Sequence, residues 1–432
     1  MKAKITARFG VGLGLALGVA AAMAPGRASA ATDINICYMN HPVQVASLAI
    51  LDKWAKKQGV NLVKTPISYS IYLPKVTQML TSGASGQCDI IWHNDDWGQD
   101  WAQYLVPTDD IPEIGNVAEG QLMPFLNADG KPTTVPMATT AGIMFYRKDL
   151  VPDNEVPKTW DELVKISQKL QADGKVKWGY VGGMSFTNTF FSFWWTLWNN
   201  NCDIYAPAYE RDNAVLAKNG WKPMLTDACQ VQTAEFWWDA LHKYKISPPG
   251  MTTYSRDEAN AIFQAGDAAF TVADSTFLGT FEDPKKSKPA GNVGMARFPL
   301  GPMSKGQRSW IDIWGWSIPK SSPSERQKAA KALLGAMMTD YEGQIGMWKA
   351  TGGPPPNTKT WAMLDKDDPI WKQLKSILFD SEHVHDAYYF RNWAVVHKNY
   401  SDALIRAMNG SREDIPKTLA EGAPSIQGGA NR

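Results

Sequence analysis

The chain has 432 residues, with 44 Lys and Arg against 43 Asp and Glu, a formal charge of +1. That balance lacks the basic excess that nucleic-acid binding requires, and the length suggests two domains rather than one. Tryptophan is the outlier, at 19 residues, and an excess over core needs has to be explained.

Residues 1–30 read as an export signal. Lys2, Lys4 and Arg8 form a basic start, residues 11–22 an apolar run of Gly and Ala, and Ala28-Ser29-Ala30 a cleavage motif. The apolar run is too short and too poor in large residues to span a membrane comfortably. No Cys lies near the cut, which argues against a lipid anchor. Cleavage after Ala30 removes Lys2, Lys4, Arg8 and Arg27 and shifts the charge to about −3. No later segment is apolar enough to cross a bilayer, so the mature chain is expected to be soluble and exported. An even count of Cys without any C-x-x-C spacing then favours disulfides over metal ligation.

The first hundred mature residues repeat a strand–helix unit. A β-rich run at 34–38 precedes helical spacing at 41–57, carried by Val45, Leu48, Leu51, Trp54 and Ala55. A second strand at 61–67 is followed by a helix through Leu73, Val76, Met79 and Leu80, and a third strand by 88–92. Strands joined by helices imply an α/β fold with a parallel sheet covered on both faces. If strands one and three are neighbours, Cys37 and Cys88 come within reach of one another. Ligands bind such sheets beyond the carboxyl ends of the strands. Here those ends are Asn40-His41, Tyr69-Ser70 and His93-Asn94-Asp95-Asp96-Trp97, all suited to a hydroxylated ligand.

Farther along, 137–147 reads as a strand leaving the first domain, and Thr159-Trp160-Asp161-Glu162 as a capping box that opens a helix. The aromatic run 186–198 reads mainly as core, with one or two rings at its start placed to face a ligand. Cys202 and Cys229 bracket a polar hairpin-like segment before a helix at 231–244, which a disulfide would staple. A short strand at 268–273 ends at Asp274-Ser275. Ser322-Pro323-Ser324-Glu325 reads as a second capping box opening a helix through Met338, and 351–356 as a Gly/Pro turn. The remainder reads as helical, with a poorly ordered tail after Gly422.

The most unusual stretch is Trp310-Ile311-Asp312-Ile313-Trp314-Gly315-Trp316. Alternation along a strand puts Trp310, Asp312, Trp314 and Trp316 on one face and the two Ile on the other. Indoles offer flat apolar area with an N–H donor and the carboxylate accepts hydrogen bonds, so this face reads as a wall of a binding cleft.

Several landmarks together resemble the family 1 extracellular solute-binding proteins of ABC importers, the group of maltose-binding protein. They are Asp89-Ile90-Ile91 with His93–Trp97 and Trp101-Ala102-Gln103; Val135-Pro136 with Tyr146-Arg147-Lys148-Asp149-Leu150; Thr159–Leu163; Phe263–Phe270 before Asp274; and 310–319 before Thr351-Gly352-Gly353-Pro354. The resemblance implies a two-lobed periplasmic binding fold of type II. The first lobe would take residues 31–138 and 317–352, the second 139–316 and 353–432, with ligand between lobes that close about a hinge. Carried over by position, Asp96 falls where the family often has a sugar-binding carboxylate, flanked by His93 and Trp97. Thr140 sits at a crossing position, Asp274 and Ser275 end a strand that faces the cleft, and Arg391 and Trp393 lie near an aromatic platform. Placement at a crossing favours Trp314 and Trp316 as ligand contacts and makes Trp310 more core-like. Maltose-binding protein has a basic residue where this chain has Trp97 and an acid where it has Thr140, so maltose is not implied.

The expected function is therefore a monomeric periplasmic subunit that binds a sugar, oligosaccharide or sugar derivative and delivers it to a membrane permease. No cofactor, metal, catalysis or nucleic-acid partner is expected. His383 and His385 with Tyr388-Tyr389 suggest solvated surface rather than a ferric site. Asp95-Asp96 are adjacent, whereas glycosidase carboxylates flank a bond roughly 5 to 9 Å apart. A Trp cage for a quaternary amine is the rival within binding proteins, and a secreted hydrolase is the distant one.

Overall fold

The computed structural model describes residues 32–430 apart from 85, 119, 187, 381 and 386–391; the side chains of Tyr69, Ser70, His383, His385 and Ala430 also lie outside the description. The export signal and Arg391 lie outside the described residues.

Strand β1 (Thr32–Tyr38) is followed by α1 (Pro42–Gln58), β2 (Val60–Pro66), α2 (Tyr69–Ser82) and β3 (Ile90–Asn94). β2 and β3 both pair with β1 in parallel, as the repeated strand–helix pattern requires. The apolar face of α1 differs from the expected one in a single residue: Val45 is exposed, and Val43, Ser47, Leu48 and Leu51 pack inward.

Two long strands then join the sheet antiparallel. β4 (Val135–Arg147) carries the chain out of the first half; after β5 (Trp178–Val181), β6 (Ala268–Asp274) and β7 (Val293–Ala296), β8 (Arg308–Ser317) returns it. With β9 (Glu382–His385) they form a nine-stranded sheet of order β2-β1-β3-β8-β4-β6-β5, with β9 on β8 and β7 on β4. β8 lies between β3 and β4, and its register with β4 shifts between Trp314 and Gly315.

Three cores flank this sheet. One gathers Ile36, Leu51, Ile90, Trp92, Trp316 and Leu333 around β1–β3, and a second gathers Tyr180, Trp194, Trp195, Trp237, Tyr400 and Leu404. The third packs Ile143, Phe145, Ile311, Trp348 and Trp371 on the other face of β4 and β8. The Trp excess is thus largely core.

Local signals fared unevenly. Thr159 caps α3 (Trp160–Ala172) by accepting from the Glu162 N–H, but Glu162 in return accepts from Lys158, one residue earlier. Ser322 does not cap the helix Ser324–Thr339; its hydroxyl is taken by the buried Asp89 carboxylate at 2.5 Å, and Pro323 is the capping residue. The aromatic run splits into a 3₁₀ turn (Thr189–Phe191) and a short helix (Phe193–Trp198). The expected loose tail is instead part of a helix, Ile415–Ala430, held because Leu419 and Ile426 are wholly buried.

Both disulfides, Cys37–Cys88 and Cys202–Cys229, pair as expected. The first closes a loop of 51 residues. Replacing Cys37 and Cys88 by Ser is expected to cost about 4 kcal/mol on loop-entropy arithmetic, read as a lower denaturant midpoint. An unchanged midpoint would show that the bridge adds nothing to a sheet already closed.

Candidate functional site

Beside β8 lies a cavity of about 320 Å³ whose floor is Trp310, Asp312 and Trp314. The three share a face because they alternate along one strand. Met39, Trp92, Asn94 and Asp96 line it from the β1–β3 side; Asn188, Phe190, Phe191, Ser255, Arg256, Asp257 and Asp274 line it from the other.

The aromatic platforms are fixed from behind. Trp310 stacks on Phe190 at 5.3 Å between centroids and meets the edge of Phe191 at 5.5 Å. Trp314 stands edge-on to His41 at 4.7 Å and to Trp92 at 5.3 Å. His41 caps α1, accepting from the Val43 N–H through Nδ1. Burial, then the charge of Arg256, hold it neutral with a pKa of about 3.

Between the platforms sits Asp312. Its Oδ2 accepts from the Trp314 indole N–H at 2.9 Å and from the Thr140 hydroxyl at 3.2 Å, while buried Oδ1 has no partner among the described residues. Behind it, Asp95 accepts from the Ile313 N–H at 2.8 Å and hydrogen-bonds Asp312. Two carboxyls joined this way share a proton. Burial, then the Asp312 charge, push Asp95 well above the ordinary carboxylate range, so Asp95 holds that proton. Burial also raises Asp312 to about 6, against the donors Asp95 and Trp314. Asp96 accepts from the Asn94 amide at 3.3 Å and from the Trp393 indole, and burial followed by the Asp312 charge raises it as well. Across the cavity, Arg256 donates to Asp274 at 2.7 Å and to Asp257 at 3.3 Å, with its guanidinium over Phe277. Helix α4 (Arg256–Gln264) begins there, capped by Ser255 and Glu258 in a reciprocal box.

A carboxylate whose folded pKa is raised contributes stability that is fully present below its unfolded value and lost as pH rises through the folded one. For Asp312 that window runs from 3.8 to about 6. Asp312→Asn is therefore expected to stabilise the solute-free protein at pH 7 by up to about 3 kcal/mol and to weaken solute binding. Denaturant midpoints of both proteins at pH 5 and pH 7.5 check this; parallel shifts would mean that Asp312 titrates as a solvated acid.

Of the residues expected at the site, Asp96, Asp274 and Trp314 line the cavity. Asp95 and Thr140 stand one layer back and touch it through Asp312. His41 backs Trp314, and Trp393 stacks on His397 at 4.9 Å while reaching Asp96. Ser275 is buried with no hydrogen-bond partner for its hydroxyl among the described residues, and Asn40 is exposed; neither lines the cavity. Four expectations are corrected outright. His93 is fully buried, bonded to Thr134 and Ser317 at 2.8 and 2.9 Å and stacked on Trp101. Trp97 packs among Tyr72, Trp92 and Trp101. Trp316 lies under α1 with its N–H on Ser47 at 2.8 Å, whereas Trp310, expected in the core, reaches the cavity. The reason is position along β8: the face that meets the cavity at Trp310–Trp314 passes beneath a helix one pleat later.

Phe190 and Phe191 are the rings expected at the start of the aromatic run, whereas Arg256, Asp257, Asn188 and Trp92 had not been foreseen. The box Ser255-x-x-Glu258 was readable as a helix start, but nothing in it says what the helix points at. Among the described residues no group of His, Cys, Asp and Glu is arranged to hold a metal ion, and no helix is long and apolar enough to cross a membrane.

Residues 49–374 match the family described as bacterial extracellular solute-binding protein. The chain belongs to that family. A probable ABC transporter-binding protein of Deinococcus radiodurans is 26% identical over 330 residues, covering 75% of this chain and 74% of that one. Among solved structures, maltose-bound MalE3 of T. maritima superposes with a TM-score of 0.77 at 23% identity, covering 91% of this chain and 99% of that one. A Thermotoga lettingae solute-binding protein with bound α-D-tagatose gives 0.76 at 17% identity, covering 93% and 100%. The fold of this solute-binding protein is therefore the α/β, two-lobed one of ABC importers. The family and the structures it resembles are binding proteins rather than enzymes, and members act in the periplasm or outside the cell, serving a permease.

Proposed function

We propose that this protein is the substrate-binding subunit of an ABC importer for a small sugar or sugar derivative. The observation that carries the reading is the floor of the cavity, where two indoles flank a carboxylate on one strand face. Apolar sugar faces stack on indoles while hydroxyls donate to carboxylates. A volume of about 320 Å³ is at the small end of ligand pockets, roughly 300–1,000 Å³, and suits one or two sugar rings. Maltose and tagatose in the related structures agree with that class.

The lobes we assign are residues 31–138 with 317–352 and residues 139–316 with 353–432, after an export signal at 1–30. The division of the core supports most of this assignment, since the cluster around β1–β3 draws nothing from residues 139–313 or beyond 347, while Trp314 and Trp316 at the end of the crossing strand pack into it. The protein acts in the periplasm as a monomer, closes on its solute and docks on the inner-membrane permease. A quaternary-amine cage and a hydrolase are disfavoured by the family and by the sugars in the related structures.

Tryptophan fluorescence and thermal shift against sugars, polyols, uronic acids and betaines test the reading. A sugar is expected to bind at about 1 µM or tighter, about −8 kcal/mol. A response to betaines alone would overturn it, and release of product from an oligosaccharide would restore the enzyme reading.

A further inference from the structure

Charge is distributed unevenly round the cavity. On the side of Arg256 the guanidinium is paired with Asp274 at 2.7 Å and with Asp257 at 3.3 Å. On the opposite side Asp96 and Asp312 face one another with no cation on either among the described residues, where Arg256 is the one basic side chain of the lining. Uncompensated buried carboxylates are costly, and protonated Asp95 relieves only part of that cost. Three acceptor atoms also lie here with no donor among the described residues other than the Asp95 carboxyl that meets Asp312: Oδ1 of Asn94, of Asp96 and of Asp312. They are neighbours. Asn94 donates to Asp96, pairs in register with Trp314, and Trp314 donates to Asp312. Asn94 itself is 5% exposed, so its bare carbonyl oxygen meets little water.

Three acceptors, two of them carboxyl oxygens that an adjoining cation would ionise, beside the face of an indole call for a cation with three donors. A primary ammonium has that form; a hydroxyl brings one donor and no charge, and a quaternary amine no donor. We propose that the solute carries a primary ammonium on its hydroxylated frame, as in an amino sugar or amino polyol, seated among Asn94, Asp96 and Asp312. This rests on the sugar-binding reading and narrows its solute class.

The test is calorimetry at pH 7 with the full mature chain and paired probes: glucosamine with glucose, galactosamine with galactose, glucamine with sorbitol, and chitosan dimer with cellobiose. The amino member of at least one pair is expected to bind about 10- to 100-fold tighter than its neutral partner, and N-acetylation is expected to abolish the difference. In Asp96→Asn the ratio within the pair collapses; an equal loss for both members would mean that the carboxylate shapes the site without reading charge, and would overturn the inference. So would a neutral sugar bound as tightly as its amino counterpart, or glucuronate bound as tightly as glucosamine, and both would leave the importer reading standing. Silence from every sugar and polyol, whatever its charge, would sink both.

Discussion

Trp314→Ala is expected to weaken solute binding about 100-fold or more, the loss typical of a central buried aromatic anchor. Two contributions vanish together: the indole face that a sugar ring covers, and the N–H that holds the Asp312 carboxylate at 2.9 Å. Trp314→Phe keeps the face and loses only the N–H, so a loss nearer tenfold is expected of it. Trp316→Ala, two residues on, should show the reverse profile. Its indole is wholly buried against Ser47, so truncation costs about 3–5 kcal/mol of stability with little change in affinity. Calorimetry paired with denaturant unfolding separates the two cases. Normal binding by Trp314→Ala would remove β8 from the site.

Gly142→Ala should be as damaging without touching the solute. Gly142 lies opposite Trp310 in β4 and is paired with Asp274 on its other side. A methyl there would lie 1.8 Å from Cε3 and 2.2 Å from Cζ3 of Trp310. Backbone held by ladders on both edges cannot yield, so the indole must leave its stack on Phe190. Overpacking of this kind costs about 1–3 kcal/mol, and loss of half the cavity floor is expected to lower affinity by about 100-fold. Adding Trp310→Leu should recover the stability and leave binding lost. Recovery of binding in the double variant would show that Trp310 is not a platform.

The fold was legible wherever local chemistry decides: the strand–helix repeat, the helix at Thr159, both disulfides and the alternation of β8. Asp96, Asp274 and Trp314 were found because strand ends and family positions point to them. What stayed hidden depends on contacts distant in sequence. Ser322 looks like a cap until Asp89, 233 residues away, takes its hydroxyl. Trp97 and Trp316 look like binding residues until α1, α2 and Trp101 cover them, and Trp310 looks like core until Phe190 shows which side of it is packed. Arg256 sits in an ordinary helix start; only the folded chain brings it across from Asp312.

The register shift of β8 against β4 at Trp314 and Gly315 bears on how the transport cycle would begin. Between residues 310 and 314 the two strands run as an unbroken ribbon with 138–142, then the ladder skips a residue where Gly315 meets Thr134 and Val135 so closely that no side chain fits. In the proposed two-lobed arrangement a bend between β8 and β4 at that step would leave their pairs on either side intact, while the ladder of β8 with β3 runs unbroken across it from Trp314↔Asn94 to Ser317↔Ile91. Amide exchange should therefore find 311–313 as slow in the empty protein as in the loaded one, with the solute slowing only the amides around 315. The carboxylate and both platforms would then stand assembled before any solute arrives, with Asn94 already laddered to Trp314 and Asp96 held by Asn94.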